Sequence, residues 1–196
     1  MHCRNCNDKL NDIFLDLGKC PPSNSLLKNN NEKKKERKFE LITYVCKKCW
    51  LVQTKDVVNK KNFFNNRYPY FSSTSSSWVQ HAKRYVNKIC RNLKINEKKL
   101  VVEIASNDGY LLQFFKEKKI PCLGIEPSTN TSRLAKKKGI KSIDKFFSYN
   151  LAKKIKNKAD LIIGNNVYAH VPNLNDFTKG MKTLLKDNGT ITLEFP

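Results

Sequence analysis

The sequence predicts an α/β protein in which a small four-cysteine domain precedes an open, doubly wound sheet of five parallel strands. Two observations indicate this. Two Cys-x-x-Cys pairs lie within the first 60 residues, and from residue 97 onward short apolar runs alternate with amphipathic stretches. Such alternation is typical of β-α-β units, whose strands run parallel. We therefore divide the 196 residues into regions 1–60, 61–96 and 97–196.

The first region contains the cysteine pairs and a Lys/Asn-rich insert near residues 28–38, which we expect to be a solvated loop. The paired cysteines are Cys3, Cys6, Cys46 and Cys49. Four thiolates from two such pairs suit the tetrahedral geometry of a structural zinc site. Free thiols or a redox pair are the alternative, which is less favoured because redox Cys-x-x-Cys motifs seldom occur twice in one domain. We expect Cys20, Cys90 and Cys122 to be ordinary small apolar residues.

The second region begins with an aromatic and serine-rich segment that runs from Phe63 to Trp78 and continues into a helix. We predict this helix from Ser76 to Leu93, because apolar side chains recur at helical spacing along one face. These side chains are Trp78, Val79, Ala82, Val86, Ile89, Cys90 and Leu93. The helix therefore connects the two domains.

The third region contains the elements of the predicted parallel sheet. The candidate strands are Leu100–Ile104, Cys122–Ile125, Ser142–Asp144, Leu161–Ile163 and Thr190–Leu193. Candidate helices lie near residues 109–118, 129–138, 148–157 and 174–186, and the last one ends at an Asn188-Gly189 turn. Strands with crossover helices of this kind predict an open doubly wound sheet.

The turn after the first strand of the sheet indicates a cofactor. The run from Val101 to Tyr110 is an apolar strand that enters a tight turn and opens a helix, which is where nucleotide-like cofactors bind. Ala105 stands in the position of the usual first glycine, so a dinucleotide fingerprint is absent. The next strand ends at Glu126 and Pro127, which places a carboxylate where it can accept both hydroxyls of a ribose. Together these segments favour an adenosine-containing cofactor.

A third group of polar residues follows the strand Leu161–Ile163. Asn165, Asn166 and His170 come directly after it. Because carboxyl ends of parallel strands meet at one edge, these residues should face the same crevice as the turn. His170 could act there as an acid, a base or a hydrogen-bond donor, although an isolated histidine is more often structural.

The composition is strongly basic, since 38 Lys+Arg against 17 Asp+Glu give a formal net charge of +21. Such a charge raises nucleic acid as a partner. However, the charge comes almost entirely from lysines dispersed along the chain, whereas arginine is the preferred reader of phosphates and bases. We interpret it mainly as a lysine and asparagine bias, which does not favour nucleic acid.

We expect a cytoplasmic protein that does not associate with a membrane. No apolar run approaches the ~20 residues of a membrane span, and the chain opens with Cys3 and Cys6 instead of an apolar signal core. Seven cysteines, an odd number, do not favour disulfides.

The motifs occur in an order that matches a known family. The two Cys-x-x-Cys pairs are followed by Tyr68–Ser75, Glu103–Leu112, Gly124–Pro127 and Asn166–Pro172. This combination resembles the zinc-containing, S-adenosylmethionine-dependent C-methyltransferases of nucleotide-linked deoxysugars, and the resemblance covers essentially the entire chain. It implies a zinc-binding domain followed by a Rossmann-like class I methyltransferase domain, with Zn²⁺ and S-adenosylmethionine as cofactors.

The resemblance also implies roles for individual residues. A base removes the C3 proton of a 4-keto-deoxysugar, and the resulting enolate attacks the sulfonium methyl group. The residues that would hold the cofactor are Glu103, Ala105, Asn107, Asp108, Gly109, Glu126, Pro127 and Asn165. Those that would line the sugar site are Asn166, His170 and one of Tyr68 or Tyr70. Donors such as His170 and the tyrosine hydroxyl would stabilise the enolate or keto oxygen. For Trp78 and His81 we expect mainly structural roles.

Members of this family continue well beyond the point that corresponds to Pro196. The resemblance implies that two further strands, a Tyr-x-x-His-Glu-His-like motif that carries the base and a C-terminal domain are missing here. We therefore expect little turnover from this chain alone, unless a second chain supplies the remainder. Two alternatives remain: a non-catalytic zinc module that binds nucleic acid, and a methyltransferase acting on oxygen or nitrogen of another small molecule.

Overall fold

The structure is a computed structural model that describes residues 1–24, 26–27, 29–55, 64, 66 and 68–195. The chain falls into two units, Met1–Phe63 and Phe64–Pro196. The boundary at residues 60–61 that we placed from the sequence lies outside the described residues.

The first unit contains a three-stranded antiparallel sheet in the order β1-β2-β3. Its strands are β1 (Asp12–Cys20), β2 (Phe39–Val45) and β3 (Val52–Thr54). These strands were not predicted, because the amino-acid sequence shows few periodic patterns in this region. Their pairing shifts register between Ile13 and Leu15 and again between Asp16 and Lys19, so no clean alternation of apolar and polar residues is left to detect.

The insert that we predicted as a loop is partly regular. It contains a short 3₁₀ helix, Asn30–Lys35, and the side chain of Asn29 caps it by accepting a hydrogen bond from the backbone N–H of Asn31 at 3.0 Å. Asparagine is among the residues that favour such caps, because its oxygen satisfies an otherwise unpaired N–H.

The second unit is built on a five-stranded sheet whose neighbouring strands are all parallel, in the order β6-β5-β4-β7-β8. The strands are β4 (Val101–Ile104), β5 (Cys122–Ile125), β6 (Lys141–Ile143), β7 (Ala159–Asn165) and β8 (Leu185–Glu194). The helices are α1 (Ser76–Asn92), α2 (Leu112–Glu117), α3 (Thr129–Lys137), α4 (Tyr149–Ala152) and α5 (Leu174–Leu184). The predicted α/β fold class is confirmed.

Successive side chains of the central strands point to opposite faces of the sheet, where they pack into two separate hydrophobic cores. Val101 of β4 packs with Val86 of α1 and Phe115 of α2. Its neighbour Val102 packs with Phe177 of α5 on the other face. All of these side chains are buried, which explains why apolar residues stand next to each other in β4 instead of alternating with polar ones.

Two details of the prediction were wrong. The helices that we placed at 109–118 and 148–157 are shorter in the structure, at Leu112–Glu117 and Tyr149–Ala152. The Asn188-Gly189 pair is not a turn between elements but lies inside β8. The pairing of β8 with β7 is irregular there, because Ala159 faces Leu185 whereas Leu161 faces Thr190. The extra residues are accommodated within the strand.

The strand order fixes where a site can form. Neighbours β5 and β7 flank β4 on opposite sides, so the connections leave β4 and β7 in opposite directions along the sheet. In open α/β sheets ligands bind at this switch point, beyond the carboxyl ends of the strands. Within the described residues, no helix is long and apolar enough to cross a membrane.

Candidate functional site

The four paired cysteines converge in the first unit. Their ligand sulfur atoms all lie within 4.8 Å of one another. The Sγ atoms of Cys3 and Cys49 are 3.5 Å apart, and those of Cys6 and Cys46 are 3.6 Å apart. Four thiolates around one Zn²⁺ at about 2.3 Å would stand about 3.8 Å from each other. The donor set and its spacing therefore fit a tetrahedral zinc ion.

The backbone around each cysteine pair is shaped for this convergence. Asn7 and Trp50, each the residue after the second cysteine of a pair, adopt positive φ angles of 63° and 62°. This left-handed conformation closes each loop: the backbone N–H of Asn7 donates to Cys3 O at 3.0 Å, and that of Trp50 donates to Cys46 O at 2.8 Å.

Polar groups around Cys3 favour its thiolate form. The side-chain amide of Gln53 donates to Cys3 Sγ at 3.3 Å, while its oxygen accepts from the backbone N–H of Arg4 at 3.0 Å. Burial raises the pKa of Cys3, but hydrogen bonds from the Cys6 backbone and from Gln53 outweigh it and lower the pKa to about 6. Zinc ligation requires the thiolate, so these contacts support metal binding.

In the second unit, the turn after β4 is wound tightly against the end of β5. Ala105, Asn107 and Gly109 all have positive φ, at 61°, 49° and 74°. The backbone N–H of Ala105 donates to Ile125 O at 2.8 Å, and that of Gly109 donates to Ser106 O at 3.0 Å. Ala105 occupies a left-handed conformation that glycine would adopt at lower cost. The residues are thus placed as the turn motif predicted, even though its first glycine is absent.

Glu126 is the acidic residue at the end of β5, and it is buried against this turn. Its Oε2 accepts from the backbone N–H of Asn107 at 2.9 Å, and its Oε1 accepts from that of Ser128 at 2.8 Å. Burial raises the pKa of Glu126, and the two backbone hydrogen bonds partly offset the rise. Pro127 follows it, half-buried, and leads into α3.

Glu103 at the end of β4 is completely buried. Burial raises its pKa well above the usual range, and the negative charges of Glu126 and Asp108 add to the rise. The hydroxyl of Tyr110 lies nearby, and its pKa is raised by burial and by the charge of Glu103, although a hydrogen bond with Asn165 works in the opposite direction. Residues from the ends of β4 and β7 therefore meet here.

Several buried side-chain atoms in this part of the molecule have no hydrogen-bond partner. Among the described residues they are Glu103 Oε2, Ser106 Oγ, Asp108 Oδ1, Ser128 Oγ and Asn130 Oδ1. Glu103 belongs to β4 itself, and the other four belong to the segments that follow β4 and β5. Buried polar atoms are rarely left unpaired in folded proteins, so their concentration at the switch point fits a polar ligand such as an adenosine-containing cofactor.

The segment before α1 lies against the same turn. The backbone N–H of Ser72 donates to Asn107 Oδ1 at 2.9 Å, and Ser73 donates to Asp108 Oδ2 from both its backbone and its hydroxyl. Tyr68 is half-buried, and burial together with the charge of Glu126 raises the pKa of its hydroxyl. Tyr70 exposes 49% of its surface. The structure thus brings the segment that contains Tyr68 and Tyr70 onto the turn that the sequence assigned to the cofactor.

The residues after β7 meet the end of β8. Asn166 adopts a positive φ of 52°, its backbone N–H donates to Glu194 O at 2.8 Å, and its side chain donates to Glu194 Oε1 at 3.3 Å. His170 ends a short 3₁₀ helix, Tyr168–His170, and its side chain is exposed. Both residues stand at the carboxyl edge of the sheet, as predicted.

Family models match both parts of the chain. A model described as a zinc binding domain matches residues 3–64, and a model described as a methyltransferase domain matches residues 77–196. The second match covers more than half of the chain. The chain belongs to the methyltransferase family. Its sheet, with the turn after β4 and the acid after β5, is the S-adenosylmethionine-binding fold of that family.

Individual proteins agree with this assignment. The C-methyltransferase NovU of Streptomyces niveus is 28% identical over 200 residues, which cover 99% of this chain and 47% of NovU. The chain therefore spans about half the length of this curated relative. An S-adenosylmethionine-dependent methyltransferase from Clostridium acetobutylicum ATCC 824 shares the fold with a TM-score of 0.51 at 17% identity, over 59% of this chain and 49% of that one. DesVI of Streptomyces venezuelae has a TM-score of 0.50 at 12% identity, and the match covers 63% of this chain and 52% of DesVI.

The methyltransferase domain contains a contact that was not predicted from the sequence. His81 of α1 lies 3.1 Å from Glu194 Oε2 through its Nε2, and its ring stacks on that of Trp78 at 5.0 Å. Glu194 thus joins α1 to Asn166. Because 113 residues separate His81 from Glu194, no local pattern could indicate the pair.

A second missed residue is Asp144, which directly follows β6 at the same edge as Glu126. Its Oδ1 accepts from Ser132 Oγ, and both carboxylate oxygens lie 2.7 Å from Lys136 Nζ. Burial raises its pKa, but the hydrogen bonds from Lys136 and Ser132 outweigh it, so the pKa is lowered overall. The signal available in the sequence was an acid at the end of a strand, which we had read as part of the strand.

Proposed function

We propose that this methyltransferase transfers the methyl group of S-adenosylmethionine to carbon C3 of a nucleotide-linked 4-keto-deoxysugar. The observation that supports methyl transfer is the set of buried, unpaired polar atoms where the turn after β4 meets Glu126. The match to NovU, a C-methyltransferase, along nearly the whole chain supports carbon as the acceptor. A reducing compartment such as the cytoplasm would keep the cysteines available for zinc.

The cofactor would lie across the turn and the end of β5. Glu126 would accept hydrogen bonds from both ribose hydroxyls, since its carboxylate is already oriented by two backbone N–H groups. Glu103 and Asn165, at the ends of β4 and β7, would bound the other side of the site. When bound, S-adenosylmethionine supplies an electrophilic methyl group on a positively charged sulfur.

The sugar would bind beside the exposed residues at the carboxyl edge. We propose that His170, Asn166 and one of Tyr68 or Tyr70 line its site and donate hydrogen bonds to the keto oxygen. A base takes the C3 proton, the electron pair of that C–H bond becomes an enolate, and donors that strengthen on the developing oxyanion lower the barrier. Carbon C3 then forms the new bond to the methyl group, while the electrons of the broken S–CH₃ bond stay on sulfur.

We further propose that the base lies outside residues 1–196, whether on more of the same polypeptide or on a second one. NovU is about twice as long as the matched region, and β8 is paired on one side only among the described strands. An edge strand of this kind can accept another strand. The purified 196-residue chain should then show little or no turnover, although it binds the cofactor.

Calorimetric titration with S-adenosylhomocysteine, the product of the reaction, tests the cofactor site. We expect Glu126→Ala to weaken binding by about tenfold or more, because hydrogen bonds to a charged group are lost. Glu97→Ala, which alters an exposed glutamate after α1, is the matched control and should bind like the wild type. Equal affinity of the Glu126 variant would contradict the proposed site.

The acceptor atom is tested by product analysis with a nucleotide-linked 4-keto-deoxysugar and carbon-13-labelled S-adenosylmethionine. A labelled methyl group on a ring carbon supports C-methylation, whereas label on oxygen or nitrogen would overturn it. Formation of the carbon-methylated sugar by the 196-residue chain alone would overturn only the proposal that the base lies outside these residues.

A further inference from the structure

The segment Tyr68–Thr74, which we name the tyrosine segment, is held by side chains of the turn after β4, residues 105–109, which we name the cofactor turn. Ser72 is buried and its backbone N–H donates to Asn107 Oδ1 at 2.9 Å. The backbone N–H of Ser73 donates to Asp108 Oδ2 at 3.3 Å, and its hydroxyl donates to the same oxygen. At the start of the segment, Asn130 Nδ2 donates to Tyr68 O at 2.7 Å.

Asn107 forms hydrogen bonds both to this segment and to Glu126, so one residue connects the two. Its backbone N–H donates to Glu126 Oε2 at 2.9 Å, on the carboxylate that we assign to the ribose. Its side chain donates from Nδ2 to Tyr70 O at 3.1 Å and accepts at Oδ1 from Ser72. The same Oδ1 accepts from the backbone N–H of Asp108 at 2.9 Å, which fixes the direction of the amide.

The conformation of Asn107 is built for this contact. The residue has a φ of 49°, in the left-handed region, and its side chain is buried. Asparagine is one of the few residues other than glycine that visits this region regularly, because its amide can bond locally. Here all three side-chain contacts are directed to the tyrosine segment or to the turn itself.

We propose that Asn107 is a positioning residue that couples occupation of the cofactor site to the placement of Tyr70 and its neighbours. The inference rests on the proposed function, in which Glu126 binds the ribose. A ligand bound to Glu126 and the turn keeps Asn107 in the conformation in which its side chain forms hydrogen bonds with the tyrosine segment. The segment in turn stabilises the turn, and such coupling is reciprocal. The acceptor sugar would therefore meet a better ordered tyrosine segment once the cofactor has bound.

Hydrogen exchange at the backbone amides of Ser72 and Ser73 tests this coupling directly. These amides donate to the turn, so their exchange rate reports how often the contacts open. We expect saturating S-adenosylhomocysteine to slow their exchange by about fivefold or more in the wild type, the lower end of typical coupling. A purely structural contact would give the same rate with and without ligand.

The informative variant is Asn107→Gly, because glycine keeps the left-handed backbone and removes only the amide. At a ligand concentration well above its own measured Kd, this variant should lose the ligand-dependent slowing. Ser77→Ala is the matched control: Ser77 is exposed and bonds only to Ser75 Oγ within the described contacts. It should slow as the wild type does. Should Asn107→Gly fail to fold, Ser73→Ala removes the hydroxyl contact to Asp108 and should reduce the slowing at Ser73.

The outcomes separate the two proposals. If the wild type does not bind S-adenosylhomocysteine, both the proposed function and this inference fail. If it binds but the exchange of Ser72 and Ser73 is unchanged, the inference fails and the proposed function stands. Unchanged ligand-dependent slowing in Asn107→Gly would also overturn the inference.

Discussion

At the scale of single residues, the cofactor turn depends on backbone conformations that few side chains tolerate. Gly109 has a φ of 74°, and a Cβ there would overlap Ile140 Cδ1 and lie 3.2 Å from Ala135 Cβ. Both neighbours are buried. The close contact between the turn and α3 therefore requires glycine.

We predict that Gly109→Ala lowers the free energy of unfolding by about 2–5 kcal/mol. This loss is the sum of two costs: about 1–2 kcal/mol for placing alanine in the left-handed conformation, and about 1–3 kcal/mol for overpacking the core. Gly139→Ala is the matched control, with a φ of 73° but a Cβ that would meet only the flexible end of Lys116. Urea unfolding followed by circular dichroism gives both values. Equal losses for the two variants would show that the contact with Ile140 contributes nothing.

At the scale of elements, a charged cluster joins the amino ends of β4, β7 and β8. Asp160 lies 3.2 Å from Lys99 and 2.8 Å from Lys186, and it accepts from the backbone N–H of Leu100 at 2.9 Å. Burial raises the pKa of Asp160, but Lys186, Leu100 and Lys99 outweigh it, so the pKa lies below its usual value. The carboxylate is buried while the lysines remain about half exposed.

Asp160→Asn should lower the free energy of unfolding by about 1–2 kcal/mol at neutral pH, because the exposure of the lysines screens the interaction. A lowered folded-state pKa gives stability that is present above the unfolded pKa of about 3.9 and is lost as pH falls through the folded value. The difference from wild type should therefore shrink below about pH 4. Denaturant titrations at both pH values measure it, with exposed Asp187→Asn as control. A difference that persists in acid would contradict the electrostatic cause.

The first unit has only a small hydrophobic core. Cys3, Leu10 and Cys46 are its buried hydrophobic residues among those described, while Phe14 and Trp50 expose 65% and 72% of their surface. So little burial cannot order a sheet by itself, and small domains of this kind are usually completed by a metal.

We predict that the wild type purifies with about one Zn²⁺ per chain and that Cys46→Ser loses it. The NMR signals of the first unit should then collapse, while those of the second unit persist. Cys20→Ser is the matched control in the same unit, since Cys20 lies outside the sulfur cluster. Metal analysis after gel filtration decides the matter: loss of zinc in the Cys20 variant, or its retention in Cys46→Ser, would refute the assignment.

At the scale of the whole molecule, the net charge of +21 needs an interpretation. A nucleic-acid site that neutralises several phosphates loses affinity steeply as salt rises. The candidate cofactor site instead consists mainly of backbone groups and buried carboxylates, which salt screens weakly.

The affinity for S-adenosylhomocysteine should therefore change by less than about threefold between roughly 50 and 200 mM salt, whereas six to ten phosphate contacts would cost about 10³-fold or more. Calorimetry in both buffers measures the change, and duplex DNA titrated under the same conditions is the comparison. Tight DNA binding that weakens steeply with salt would favour the zinc-module alternative.

Much of this arrangement could be predicted from local patterns. The apolar runs of β4 and β7 are buried on both faces, so they stand out in the sequence whatever surrounds them. The order of the segments then places Glu103, Glu126 and Asn165 at one edge, because parallel strands share their carboxyl ends. The strands of the first unit could not be predicted, since their register shifts erase the alternation on which detection relies.

The cysteine pairs, the parallel sheet and the edge at which polar residues gather can all be read from the amino-acid sequence, because each depends on spacing along the chain. The partners of those residues become visible only in the folded molecule. It directed Asn107 and Asp108 toward the tyrosine segment, some 35 residues away, and it paired His81 with Glu194 across 113 residues. Hydrogen bonds form between groups that are close in space, and distance along the chain does not report that closeness.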